Sequence, residues 1–309
     1  MARPIDPAAA VPPALRDAVL TWYAATARPL AFRRTADPYA VLVSELMAQQ
    51  TQAARAAEAW ERWMARWPTV RDLAEAPVAG VLRAWAGLGY NRRALALHRA
   101  AKVIVDEHGG ELPRSVDVLE ALPGVGRYTA RAVAAIAFGS EVGAVDTNVR
   151  RVLGRVAAGD GGPEAIGPTA MQALADAVVP PGSAAAWTHA LMDLGARLCA
   201  PRSPHCAECP AAAWCRYAAG ERPPIGAPDP AQPRKARRPE AAFPSTRRWL
   251  RGRVLDRARE APDGAWTSYG EAIGAHEPRA VREAVLALAS EGLLEARENP
   301  GGIEARLPG

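Results

Sequence analysis

Cys199, Cys206, Cys209 and Cys215 are the only thiols of this 309-residue chain, and they fall in one short stretch spaced Cys-x6-Cys-x2-Cys-x5-Cys. A chain that confines its thiols to one loop is building a metal or cluster site rather than scattered disulfides. Structural zinc usually takes two close pairs separated by a longer finger. Here one close pair is flanked by two single cysteines, a spacing better suited to four thiolates around an iron–sulfur cube. Spacing alone favours the cluster and leaves zinc open. A second group of residues has a phosphate-binding character. Residues 119–138, LEALPGVGRYTARAVAAIAF, read as a helix, a tight turn at Pro123-Gly124-Val125-Gly126, and a second helix from about Arg127. The glycines allow close backbone approach, and the N–H groups opening the second helix suit an anion. Further on, AVDTNVRR sets Asp146 just before another helix, with Asn148 and Arg150 able to reach phosphates. From position alone Asp146 reads first as an N-cap. Lys102 and Lys235 are the only lysines, so chemistry needing a side-chain amine has two candidates.

The elements that must position these residues are helical. Residues 13–27 are amphipathic, with Leu15, Val19, Trp22, Tyr23 and Thr26 on one side. RPLAFRRTADPY reads as a loop ended by Pro38. From Tyr39 to about Ala219 apolar residues recur at three- and four-residue steps with breaks at Pro and Gly, which predicts an all-α region. Residues 221–244 are Pro- and Arg-rich with little to bury and read as a linker. The segment 245–309 predicts a small α+β domain. It has a helix over 246–260, a short helix after Ser268, a third over 278–291, then a hairpin turning at Asn299-Pro300-Gly301-Gly302. That is a winged-helix pattern, used in some proteins to bind nucleic acid through the third helix and in others for protein contact. Hydrophobic content is 49% and net charge +5, as in a globular protein able to meet a polyanion. No apolar run is long enough to span a membrane. The N-terminus lacks a signal-peptide core, so a cytoplasmic, nucleoid-associated location is expected.

LPGVG, the following VDTNVRR and the four-cysteine loop together resemble the helix-hairpin-helix DNA glycosylase superfamily in its iron–sulfur branch. SELMAQQT (44–51) and WAGLGYNRRA (85–94) look most like the MutY-type adenine DNA glycosylases. The resemblance runs from about Leu15 to about Tyr217. It implies a mainly α fold, with a six-helix barrel module over about 30–147. A cluster module would be made by the N-terminal helix and 148–220, giving a glycosylase domain over 1–220 with a winged-helix-like appendage. It also resolves the metal question in favour of a 4Fe–4S cluster held by Cys199, Cys206, Cys209 and Cys215. The implied partner is double-stranded DNA carrying a mismatched or damaged pair, bound by a monomer without membrane contact.

The resemblance further implies roles residue by residue. An N-glycosidic bond breaks when the leaving base is protonated and the cationic sugar is stabilised, much as in glycoside hydrolysis. Glu45, on a hydrophobic helix, would be the acid, and Asp146 the anion beside the sugar. Tyr128 stands where bifunctional relatives similar to endonuclease III carry a lysine; a phenol forms no Schiff base, so a monofunctional enzyme without efficient lyase activity is expected. Gln50, Leu88 and Tyr90 match groups that wedge into the duplex. Gly124, Val125, Gly126, Asn148 and Arg202 would meet the DNA backbone, and Arg33 the rim of the base pocket. Two departures stand out. Ala31-Phe32-Arg33 replaces the usual Pro-Trp-Arg, and His189 occupies the place, ten residues before the first cysteine, where adenine-specific members carry Glu or Gln. His189 and a C-terminal domain too small for a Nudix fold keep a thymine or uracil mismatch glycosylase as the alternative reading. A catalytically inactive DNA-binding protein comes third.

Overall fold

Proline and glycine set many of the helix boundaries in the computed structural model, which describes residues 5–162, 165–221, 242–300 and 302–309. Most of the expected linker, 222–241, lies outside the described residues, as does Gly301 of the expected turn. The helices are α1 (Pro7–Ala10), α2 (Pro13–Thr26), α3 (Pro38–Ala48), α4 (Ala53–Arg66), α5 (Val70–Glu75), α6 (Val78–Ala84) and α7 (Arg92–His108). They continue with α8 (Val116–Ala121), α9 (Arg127–Phe138), α10 (Thr147–Ala158), α11 (Pro168–Ala177), α12 (Ala184–Arg197), α13 (Arg247–Glu260) and α14 (Pro278–Ser290). The all-α reading of 39–219 therefore holds. The loop before α3 gains one 3-10 turn, Ala31–Arg34. Among the described residues no helix is long and apolar enough to cross a membrane.

The chain packs as two compact units that interleave in sequence. One comprises Met1–Glu45, Arg114–Ala121 and Val125–Gln232; the other Leu46–Pro113, Leu122–Gly124 and Pro233–Gly309. This differs from a linear division at 147 and 220, because the C-terminal segment packs with α6 and joins the unit built on α4–α7. In the first unit Leu15 and Val19 of α2, Val149, Val152 and Leu153 of α10, and Trp187, Leu191 and Leu194 of α12 form one core. α10 and α12 cross closely at Gly195, where a Cβ would fall 2.6 Å from the Asn148 Cβ. In the second unit Trp63 packs edge-on against Trp67 and Trp85, with ring centroids 4.7 and 5.5 Å away. Such T-shaped contacts add to the apolar burial. Leu97, Ala101 and Ile104 of α7 are fully buried in the same unit.

The C-terminal part carries α13, α14 and a three-stranded antiparallel sheet of β1 (Thr267–Ser268), β2 (Glu295–Asn299) and β3 (Gly302–Arg306) in the order β1-β3-β2. Ala296 pairs with Ala305 and Asn299 with Gly302, the expected hairpin. Leu250, Val254, Val281, Val285, Leu288 and Ile303 make its core. One expectation is corrected. The short helix after Ser268 does not form; instead Ile273 and His276 pair across a tight turn. Gly274 in that turn has φ +59° and lies under the Trp249 ring. A left-handed residue there ends any helical run, and the glycine is needed because a Cβ would meet the indole at 2.7 Å.

Candidate active site

Glu45 lies on α3 among Val41, Leu42 and Leu46, each at most 1% exposed, and is itself 8% exposed. Burial pushes its carboxyl up to about 7; a hydrogen bond with Tyr128 works against that shift, the neighbouring Asp146 adds to it, and Arg33 opposes it. A carboxyl held near neutrality by desolvation can carry a proton where an ordinary glutamate has lost it. Tyr128, in the first turn of α9, faces it. Burial and then the Glu45 and Asp146 charges carry the phenol well above its ordinary value. It is therefore a neutral donor at working pH, with Met192 Sδ 3.8 Å from its hydroxyl.

Asp146 does cap α10, its Oδ1 accepting from the Val149 N–H at 2.7 Å. The capping does not exhaust it, because Oδ2 also accepts from Asn148 Nδ2 at 2.9 Å. Asn148, expected at the DNA backbone, is thus first a support for Asp146. Its own Oδ1 accepts from Arg151 Nη2 at 2.8 Å, and Arg151 reaches on to the carbonyls of Gly195 at 2.8 Å and Cys199 at 2.7 Å. A continuous polar chain runs from the aspartate to the first cysteine. Arg150, the other phosphate candidate, donates to the Ile166 carbonyl at 3.2 Å.

Arg33 is placed by a residue that the sequence reading missed. Asp193 is fully buried on α12 and accepts both arms of the Arg33 guanidinium at 2.8 Å, while Arg28 Nε donates to it at 2.7 Å. Burial alone would raise the Asp193 carboxyl, but these hydrogen bonds carry it below its usual range. The signal was present in WTHALMDLG, since an aspartate on the buried side of an apolar helix demands a cation. One turn before it stands His189. Burial, then the Arg33 charge, push its imidazole down to about 3 against the opposing Asp193 carboxylate. The ring is therefore neutral, with one nitrogen donating and one accepting. The Tyr23 ring lies tilted beside it, at 6.3 Å between centroids.

Two loops carry Gln50, Leu88 and Tyr90, the residues expected to wedge into a duplex. Gln50 and Tyr90 have φ of 54° and 46°, the non-glycine residues with left-handed backbone among those described. Both are exposed, whereas Leu88 is buried and packs within its unit. The Arg93 guanidinium ties the loops together, donating to the carbonyls of Leu46, Gln49, Leu88 and Gly89 and to Thr51 Oγ1. In the hairpin, Gly124 has φ +77°, and a Cβ there would fall 2.5 Å from the Ala96 Cβ. Val125 is buried and Gly126 exposed at the start of α9. Lys102 is exposed on α7, and Lys235 lies outside the described residues.

The four cysteines line one small pocket together with Arg155, Leu198 and Tyr217. Among the described residues no three His, Cys, Asp or Glu side chains converge closely enough for a single ion. Buried Arg155 donates to Cys199 Sγ at 3.2 Å and to the carbonyls of Ala200 and Pro201 at 2.8 and 2.9 Å, while its guanidinium stacks on Tyr217. Arg202 on the same loop is exposed. A donor set of four soft thiols, with the Arg155 cation at Cys199 Sγ, fits a cluster with net negative charge.

A buried carboxylic acid, a capped aspartate and a neutral phenol in a helical fold with a helix-hairpin-helix turn define a base-excision scaffold. The family model "HhH-GPD superfamily base excision DNA repair protein" matches residues 43–178. Adenine DNA glycosylase of Mycobacterium tuberculosis is 43% identical, over 80% of this chain and 82% of its own length. The adenine DNA glycosylase of Mycolicibacterium smegmatis is 39% identical over 90% of this chain and 91% of its own, too large a share to stop before the C-terminal part. Thymine/uracil-DNA glycosylase of Methanothermobacter thermautotrophicus is 32% identical over 64% of this chain. Among solved structures, a thermostable thymine-DNA glycosylase superposes with a TM-score of 0.61 at 31% identity, covering 66% of this chain and 95% of that one. The chain belongs to the HhH-GPD superfamily of base excision DNA repair proteins, in its adenine DNA glycosylase branch.

Proposed function

We propose that the protein is a monofunctional DNA glycosylase that flips and excises adenine opposite 8-oxoguanine or guanine. The observation that carries this is the buried Glu45 carboxyl, held near 7 beside Asp146 and Tyr128. Protonated Glu45 delivers its proton to N7 of the extruded adenine, making the base a competent leaving group. Asp146, aimed by Asn148 and Val149, faces the oxocarbenium-like sugar as the bond lengthens, and water completes the hydrolysis. Tyr128 orients the Glu45 carboxyl and, being a phenol, forms no covalent imine with C1′. Neutral His189 offers one donor and one acceptor to the edge of the flipped base.

Cys199, Cys206, Cys209 and Cys215 would hold a 4Fe–4S cluster, which when bound cross-links the 199–215 loop through iron–thiolate bonds. Arg155 and Arg151 brace that loop from α10, and the exposed Arg202 and the Gly124–Gly126 turn are its candidates for phosphate contact. The test is to incubate the protein with duplexes bearing A:8-oxoG, A:G, T:G and U:G, then cleave abasic sites with alkali. Cutting at the adenine duplexes is expected, without an adduct trapped by borohydride. Cutting confined to T:G or U:G would replace this reading with the mismatch glycosylase, and trapping in high yield would refute the monofunctional assignment. Asp146→Asn should abolish turnover and leave duplex binding largely intact.

A further inference from the structure

The C-terminal part sits against the wedge loop through specific contacts inside one compact unit. The Tyr90 ring, on left-handed backbone, is flanked by two guanidiniums: Arg93 of α7, 5.6 Å from its centroid, and Arg248 of α13, 4.9 Å away. The next residue, Asn91, accepts from Arg259 Nη2 of α13 at 2.7 Å. Arg259 Nε also donates to the Leu82 carbonyl at 3.0 Å. In return Arg83 of α6 donates to the Arg259 and Ala261 carbonyls at 3.0 and 2.9 Å and pairs with Asp263. By contrast, α14, the helix that a nucleic-acid-reading winged helix would present, is charge-balanced. Arg279 pairs with Glu283 and Arg282 with Glu298.

We propose that the C-terminal domain is an internal brace for the duplex wedge: Arg248, on the Tyr90 ring, and Arg259, on the side chain of the adjacent right-handed Asn91, hold Tyr90 in the left-handed conformation that presents its ring. The physical need is evident at Tyr90, because a non-glycine residue with positive φ persists only where its surroundings over-determine it. One guanidinium on the ring and one on the adjacent amide supply that constraint from a separate element. Arg248 and Arg259 are thus positioning residues, acting through Tyr90 rather than by reading the DNA. The inference rests on the glycosylase reading only in taking Tyr90 to enter the duplex.

The test uses full-length Arg248→Ala, Arg259→Ala, Arg248→Lys, Tyr90→Ala and the double variant Arg248→Ala/Tyr90→Ala. Affinity is measured for a duplex with a tetrahydrofuran abasic analogue opposite 8-oxoguanine, over a series of salt concentrations. Loss of either arginine should weaken binding about fivefold, the scale of one cation–π contact for Arg248 and of one hydrogen bond for Arg259, and Arg248→Lys should restore most of the Arg248→Ala loss. In the Tyr90→Ala background Arg248→Ala should cost nothing further. The salt dependence should keep its slope, since a brace releases no counterions. A slope lowered by about one would make Arg248 a phosphate contact and overturn the proposal. So would an undiminished effect of Arg248→Ala in the Tyr90→Ala background, or wild-type binding by both arginine variants. The abasic analogue carries no base, so failure to excise adenine would count against the proposed function and leave this coupling readable.

Discussion

At the scale of single residues, Glu45 joins activity to stability. Its unfolded carboxyl titrates near 4.5 and the folded one near 7, so the folded state holds the proton more tightly. The sign follows: folding is unpenalised below about pH 4.5, and stability is lost as pH rises through 7. Two and a half units correspond to roughly 3 kcal/mol. Glu45→Gln, which does not titrate, should therefore be inactive yet gain on the wild type in urea unfolding between pH 5 and pH 8.5. An equal difference at both pH values would contradict the burial argument. Glu45, Tyr128 and Asp146, the proposed catalytic set, could be picked out in the sequence because each lies inside a motif that carries the family resemblance. The pairing of Asp193 with Arg28 and Arg33 could not, because it spans the chain; WTHALMDLG signals only that a buried aspartate needs a cation. Helix periodicity places Asp193 one turn from His189, but only the fold shows which cation it meets.

At the scale of elements, the α10–α12 crossing aims Asp146. Gly195 lets α12 approach so closely that an added Cβ would fall 2.6 Å from Asn148 Cβ and 3.1 Å from its Cα. Gly195→Ala should cost about 1–3 kcal/mol in overpacking and push Asn148 off the Asp146 carboxylate. The expected signature in single-turnover assays is a larger fall in excision rate than in duplex affinity. Unchanged excision would mean that Asn148 does not orient Asp146. The helices themselves were readable from apolar spacing and from Pro and Gly breaks. The missing helix after Ser268 was not, because the left-handed Gly274 under Trp249 is a tertiary arrangement. The nine residues 269–277 between β1 and α14 carry no periodicity that distinguishes a turn from one helical turn.

At the scale of the whole molecule, the sequence reads as three consecutive segments, but the chain folds as interleaved units, with the last segment packed on α6 rather than standing apart. Composition suggests a linker over 221–244, most of which lies outside the described residues, and says nothing of where the chain beyond it returns; that is decided by Arg83, Arg259 and Tyr90. The cysteine loop belongs to the same scale, because Arg151 and Arg155 connect it to α10 and so to Asp146. Cys206→Ala should leave helical circular dichroism largely intact, expose the 199–215 loop to protease, and weaken duplex binding. Wild-type protease resistance of that loop would contradict a cross-linking role for the proposed cluster. All of these expectations converge on one claim, that a buried acid does the chemistry. The pH dependence of single-turnover adenine excision from an A:8-oxoG duplex tests it most directly. The account predicts a plateau at acidic pH and a rate falling tenfold per unit above about 7, as Glu45 loses its proton. A rate that stays flat, or rises, through that range would contradict it.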